Sequence, residues 1–243
     1  RMAQAQIMAG QVLVGGVVCT KGGTHVRGDA DIRLRGAEGK YASRGGFKLE
    51  AALKRFPLSA AGRIALDAGA STGGFTDCLL QHGAARVYAV DVGYGQLRGR
   101  LAADGRVVAM EKTNIADLRA DTFDPPIDLC VFDLSYLSAT KAAPSLESLF
   151  LGEVEMIGLI KPLYEGVAQE DMVRPDALRE ALVRVVTTLP SFGLSVTGVI
   201  LSPIHGGRGS IEFLAHIREG SAIDITLCDA AIAELPYPSA RRT

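Results

Sequence analysis

The sequence has no apolar stretch approaching the roughly 20 residues a membrane span requires, so no membrane association is expected. It has no excess of positive charge either. Lys and Arg number 26 against 27 Asp and Glu, a net charge of −1, so any nucleic-acid binding must come from local patches. Its four cysteines, Cys19, Cys78, Cys130 and Cys228, are isolated, with no C-x-x-C pair. That pattern excludes a disulfide framework and reads as buried free thiols in a reducing cytoplasm. His25, His82, His205 and His216 lack metal-ligand spacing, so no metal site is expected. No signal peptide is visible, and the expected location is cytoplasmic. The chain opens at Arg1 rather than Met, so a preceding segment is expected. Repeats and low-complexity tracts are also missing. What remains, 243 residues with 48% hydrophobic and 22% charged, is an ordinary globular protein. One domain of about 200 residues and a small appendage fit that length.

The most informative stretch is Asp67-Ala68-Gly69-Ala70-Ser71-Thr72-Gly73-Gly74-Phe75-Thr76-Asp77. An apolar strand (Ile64-Ala65-Leu66) precedes it, a helix start follows, and the next apolar run, Val87-Tyr88-Ala89-Val90, ends in Asp91. Strand, Gly-rich turn, helix, strand and acid make a nucleotide-type cofactor site. Glycines let the backbone approach a ligand closely, and the terminal acid can accept both ribose hydroxyls. A dinucleotide site wants G-x-G-x-x-G, and Ser71 stands where that pattern needs Gly. Asp67 at the strand tip is a poor neighbour for a pyrophosphate and a tolerable one for the cationic end of S-adenosylmethionine. These residues favour that cofactor over a nicotinamide, and over a turn that merely connects strand to helix.

Residues 1–36 read as a separate piece: a helix end over Ala5–Ala9, then Val12-Leu13-Val14 and Val17-Val18 flanking the hairpin turn Gly15-Gly16. Lys21, Arg27, Arg33 and Arg35 add local positive charge, and Gly36–Lys40 reads as linker. From Ile64 strands and helices alternate. Strands are predicted at Ile64–Asp67, Val87–Asp91, Val107–Met110, Ile127–Asp133 and Glu155–Lys161, with helices at Leu49–Phe56 and Asp176–Leu189. The last pair, Leu194–Leu201 and Ile211–Ile217, predicts an antiparallel hairpin at one end of a mostly parallel, helix-covered α/β sheet. The polar stretch Glu165–Arg174 reads as a mobile loop near the site.

Ligands in open sheets sit at the carboxyl ends of the strands. Asp133 ends the fourth strand, Lys161 the fifth, Glu212 begins the last, and Lys48 precedes the first domain helix. Two lysines and two carboxylates are thus expected to converge beside the cofactor. Methylation of a poorly acidic hydroxyl wants such a set, because the hydroxyl must be aligned with the methyl group and relieved of its proton. A lysine takes that proton only as the neutral amine. A neighbouring cation favours that form and neighbouring carboxylates oppose it; the four residues supply both influences.

Six motifs in order then resemble one family: Ser43-Arg44-Gly45-Gly46-Phe47-Lys48-Leu49, Asp67 to Thr76, Asp91-Val92-Gly93-Tyr94-Gly95-Gln96-Leu97, Glu111-Lys112-Thr113-Asn114, Phe132-Asp133-Leu134-Ser135-Tyr136 and Leu159-Ile160-Lys161-Pro162. The match runs from about Gln4 to Leu214 and resembles the TlyA, or hemolysin-A-like, family with its FtsJ-type methyltransferase domain. The resemblance implies a Rossmann-like S-adenosylmethionine-dependent fold and 2′-O-methylation of ribosomal RNA, free or within ribosomal subunits. It implies a catalytic tetrad carried here by Lys48, Asp133, Lys161 and Glu212. Cofactor contacts fall to Gly69, Ser71, Gly73, Gly74, Phe75, Asp91, Asn114 and Asp133, and RNA contacts to Lys21, Arg27, Lys40 and Arg44. Residues 1–36 become part of a small RNA-binding domain similar to that of ribosomal protein S-four, missing its first helix. Residues 37–43 are linker, 44–220 the methyltransferase domain and 221–243 a C-terminal extension. Two departures stand out: acidic residues in Ala168-Gln169-Glu170-Asp171-Met172, and Gly209-Ser210 before Glu212 where the family often has Gly-Asn. The rival expectations are an RNA-binding member without turnover and a membrane-lytic protein, the latter opposed by the lack of a span or an interfacial helix.

Overall fold

A computed structural model describes residues 2–34 and 39–236. Arg35, residues 36–38 of the expected linker and residues 237–243 of the expected extension lie outside the described residues. The chain divides into two compact units, Arg1–Lys40 and Tyr41–Thr243.

In the smaller unit a helix, α1 (Met2–Met8), leads into β1 (Val12–Val14), β2 (Val17–Cys19) and β3 (Ile32–Leu34). The sheet order is β2-β1-β3 with antiparallel pairing throughout. Gly15 and Gly16 both adopt positive φ, 57° and 83°, which a two-residue hairpin turn of the favoured twist requires. Strand β3 was not foreseen; the sequence reading took Arg33 within it only as local charge.

The larger unit opens with α2 (Gly45–Arg55) and continues through β4 (Ile64–Ala68), α3 (Gly74–Gln81), β5 (Arg86–Val90), α4 (Gly99–Ala102), β6 (Val107–Met110), β7 (Leu129–Phe132), α5 (Ala139–Glu147), β8 (Glu155–Ile160), α6 (Pro175–Thr188), β9 (Leu194–Leu201), β10 (Phe213–Glu219) and α7 (Thr226–Ala233). Its seven strands run in the order β6-β5-β4-β7-β8-β10-β9. The first five are parallel, and β10 pairs antiparallel with both β8 and β9. This is the predicted α/β sheet with its terminal hairpin. Alternate residues of each strand face opposite layers. Leu66, Tyr88, Cys130, Met156 and Phe213 join one core cluster, and Ala65, Val87, Leu129, Ile157 and Leu214 the other. Strand order reverses between β4 and β7, which opens the crevice where such sheets bind ligands.

Four sequence expectations need correction. Helix α2 starts at Gly45 rather than Leu49, so Lys48 lies inside it. Two glycines disfavour a helix by propensity, yet a Cβ on Gly46 would fall 2.3 Å from the Tyr41 ring, so packing dictates the residue. Tyr41 and Ala42 are buried, and the Ala42 N–H donates to Asp77 at 2.6 Å; residues 41–42 are therefore core of the larger unit, not linker. The stretch Glu165–Arg174 is anchored. Val167 and Met172 pack on Ala181 of α6, and Glu165 is buried. The segment after residue 220 also contributes to the core through Cys228, Ala231 and Leu235, and Arg179–Asp229 and Arg55–Glu234 ion pairs hold it. Cys78, Cys130 and Cys228 are buried, while Cys19 is half-buried.

Candidate active site

The tips of β4, β5, β7 and β8 surround a cleft of about 420 Å³. Gly69, Ser71, Asp91, Asp133, Lys161 and Glu212 are among its walls, together with Lys48. Their sequence separations are large; the parallel sheet and α2 bring them together.

Four of them form an unbroken chain of opposite charges. Glu212 Oε2 lies 2.6 Å from Lys48 Nζ, which lies 3.8 Å from Asp133 Oδ2. Asp133 Oδ1 in turn lies 2.5 Å from Lys161 Nζ. The Lys161 ammonium also donates to the Leu134 carbonyl at 3.0 Å. Glu212 and Lys48 are 5% and 9% exposed, whereas Asp133 and Lys161 are 26% and 17% exposed. The Lys161–Asp133 end is thus the one a substrate can reach. Lys48 and Glu212 form a buried pair, where losing one partner leaves an uncompensated charge at a cost of about 3–5 kcal/mol.

The Gly-rich turn shapes the opposite wall. Gly69 has φ +89°, and a Cβ there would sit 2.6 Å from the Asp133 carbonyl, so only glycine lets β4 and β7 approach so closely. Asp91 accepts from the Ser71 N–H at 2.8 Å and the Gly93 N–H at 2.7 Å. A carboxylate has about four lone-pair sites, so two remain for the hydroxyls of a ribose. Asp67 is fully buried. Its Oδ2 accepts from Thr76 Oγ1 at 2.6 Å, and its Oδ1 has no hydrogen-bond partner among the described residues. Burial pushes its carboxyl up to about 7, against the Thr76 hydrogen bonds and with help from the charges of Asp133 and Asp91.

That shift has a checkable consequence. The folded value lies above the ordinary 3.8, so the stability it contributes is complete below about pH 4 and is lost as pH rises through 7. Thermal melts between pH 5 and 8 should show the parent losing ground to Asp67→Asn as pH rises. Parallel curves would mean that Asp67 does not titrate there.

Other expected residues stand elsewhere. Gly73 precedes α3 with positive φ and packs on Leu97 and Leu101; Gly74 packs on Ser43 and Gly46 of the α2 approach. Phe75 is 4% exposed in the core beside Leu49. None of the three is a wall of the cleft; they fix the turn from behind. Asn114 is exposed, and its Oδ1 caps the short helix Ile115–Asp117, while its neighbours Thr113 and Ile115 face the cleft. Of the cationic candidates, Lys21, Lys40 and Arg44 are exposed, and Arg27 is ion-paired to Asp29 at 3.0 Å. Arg44 lies four residues before Lys48 in helical conformation, which puts both on one side of α2. Residue-by-residue reading missed Gln96, whose side chain accepts from Ser71 Oγ at 3.3 Å, and Tyr136, half-exposed at the mouth. Both sit in loops just after strand tips and inside the quoted motifs, which are the signals that could have singled them out.

The cleft suits S-adenosylmethionine. Asp91 on its wall keeps lone pairs for the hydroxyls of a ribose. Among the described residues no helix is long and apolar enough to cross a membrane.

Comparison with known proteins agrees. The FtsJ-like methyltransferase family model matches residues 41–219. The chain is 37% identical over 224 residues to the 16S/23S rRNA (cytidine-2′-O)-methyltransferase TlyA of Mycobacterium tuberculosis, covering 90% of this chain and 84% of that one. It is 40% identical over 220 residues to Hemolysin A of Brachyspira hyodysenteriae, covering 88% and 91%. A solved structure from Streptococcus thermophilus that carries a provisional hemolysin name superposes with a TM-score of 0.78 at 35% identity, covering 96% and 88%. More distant S-adenosylmethionine-dependent methyltransferases share the fold alone. On this sheet, this cleft and these relatives, the chain belongs to the FtsJ-like methyltransferase family, with S-adenosylmethionine as its cofactor.

Proposed function

We propose that this protein methylates a ribose 2′-hydroxyl of ribosomal RNA, with Lys161 as the base. The observation that carries the reading is the continuous Lys161–Asp133–Lys48–Glu212 chain along one wall of the cleft, open at its Lys161 end. S-adenosylmethionine, when bound, supplies a methyl group already activated as a sulfonium. Asp91 would take the ribose hydroxyls of the cofactor, and Gly69 and Ser71 would admit it close to the backbone. Lys161, in its amine form, accepts the proton of the target hydroxyl as the new O–CH₃ bond forms and the C–S bond breaks. The Leu134 carbonyl and Asp133 hold its nitrogen in place. Lys48 and Glu212 hold Asp133 from behind. Aligning the hydroxyl with the methyl group is the larger contribution, and base catalysis adds about 10²–10⁴-fold.

RNA contact is assigned to Arg44 beside the tetrad and to Lys21, Arg27 and Lys40 in the smaller unit. Phosphate contacts of this kind position the nucleic acid without reading its sequence. Tyr136 offers a half-exposed ring on which an unstacked base can lie. The mycobacterial relative is named for ribosomal RNA of both subunits, which makes ribosomal subunits the substrates to try first and the cytoplasm the place of action.

The test is transfer from labelled S-adenosylmethionine to ribosomal subunits lacking the modification. Label recovered as 2′-O-methylnucleoside supports the reading. Label in a base, or cofactor binding with no transfer to either subunit, overturns it.

A further inference from the structure

A buried carboxylate joins the turn after β8 to the N-terminus of α5. Glu165 is 3% exposed. Its Oε1 accepts from the Ala139 N–H at 2.5 Å, and its Oε2 from Thr140 Oγ1 at 3.3 Å. Burying a carboxylate is costly unless hydrogen bonds replace its water, and an apolar side chain would fill the space more cheaply. Its position explains the choice. The Lys161 carbonyl accepts from the N–H groups of Tyr164 at 2.8 Å and Glu165 at 3.3 Å, so Lys161 and Glu165 are the two ends of one tight turn. The Lys161 ammonium reaches across to the Leu134 carbonyl, at the start of the loop that runs into Ala139. The circuit is closed: Lys161 side chain, loop 134–138, the α5 N-terminus, Glu165, and back to the Lys161 backbone. Arg184 of α6 stands beside the turn, its Nη1 only 2.9 Å from where a Gly166 Cβ would lie.

We propose that Glu165 is a positioning residue for methyl transfer, bolting the turn that carries Lys161 to the loop that carries Asp133. This rests on Lys161 being the base. Displacing a reacting group by about 1 Å can cost 10²-fold in rate. Each of the two loops is attached to its own strand at one end, and Glu165 ties their far ends to each other.

Three variants of the full chain test it. Glu165→Gln keeps a carbonyl acceptor at the same reach. Glu165→Asp keeps the charge but is one methylene short. Glu165→Ala removes both. The expected result is a kcat within about threefold of the parent for Gln and at least about 30-fold lower for Asp and Ala. The dissociation constant for S-adenosylmethionine stays within about twofold in all three, since none of these atoms is placed on the cofactor. Hydrogen exchange over residues 161–167 rises at least about tenfold in Asp and Ala, with β8 still protected. Parent-like kcat in a folded Asp variant overturns the proposal, as does unchanged exchange over 161–167. So does loss of cofactor binding in step with kcat, which marks general collapse. If Ala fails to fold, Asp carries the test. Absence of methyl transfer by the parent would count against the Lys161 reading instead, and the exchange result would still decide the role of Glu165.

Discussion

Lys161→Ala lowers methyl transfer about 10²–10⁴-fold, the range for a lost general base, and leaves S-adenosylmethionine binding intact. Lys161 is the informative member of the tetrad because its side chain is 17% exposed and its partner Asp133 is 26% exposed. Solvent can take over the charge that truncation leaves behind. Lys48 and Glu212, at 9% and 5%, cannot be treated in the same way. Removing either leaves a buried unpaired charge, and a lost activity could then report a lost fold. The measurement is single-turnover methyl transfer beside calorimetric cofactor binding and a thermal melt. The expected pattern is a kcat effect with an unchanged dissociation constant and a melting temperature within a few degrees. Activity within threefold of the parent would remove Lys161 from the chemistry and leave the tetrad as a structural ion-pair chain.

Asp91→Ala gives the opposite pattern, with cofactor affinity lost. Hydrogen bonds to a charged group contribute about 1.5–3 kcal/mol each, so the loss of two ribose hydroxyl contacts weakens binding at least about 100-fold. The effect has a second source. Asp91 also holds the N–H groups of Ser71 and Gly93, so truncation loosens both loops that frame the cleft. Calorimetric titration with S-adenosylmethionine, and with its demethylated product, checks this. Both should weaken alike, because Asp91 is assigned to the ribose and not to the reacting methyl. An affinity within threefold of the parent would move the ribose away from Asp91.

The two variants separate binding from chemistry across one cleft. A kcat effect from one and an affinity effect from the other is the pattern the proposed roles of Lys161 and Asp91 require.

Much of this was written locally. In the larger unit strands β6 and β9 fall on the predicted residues, and the others within about two, because an apolar run is a signal carried by a few consecutive residues. The Gly-rich turn and Asp91 were legible for the same reason: a glycine with positive φ and an acid at a strand tip are requirements of local backbone geometry. All four tetrad residues were picked from strand ends and one motif, without any view of how they meet. Tertiary structure alone decided the rest. It set the order of the ion pairs and which end is open, since those depend on distances between residues as far apart as Lys48 and Glu212. Packing against Tyr41 allowed α2 to begin on two glycines that propensity would exclude. Glu165, in a stretch that reads as a polar loop, became buried because its partner, the Ala139 N–H, comes from another element. A sequence displays what a residue does to its neighbours in the chain. Where a polar side chain finds a partner across the fold, only the assembled sheet can show it.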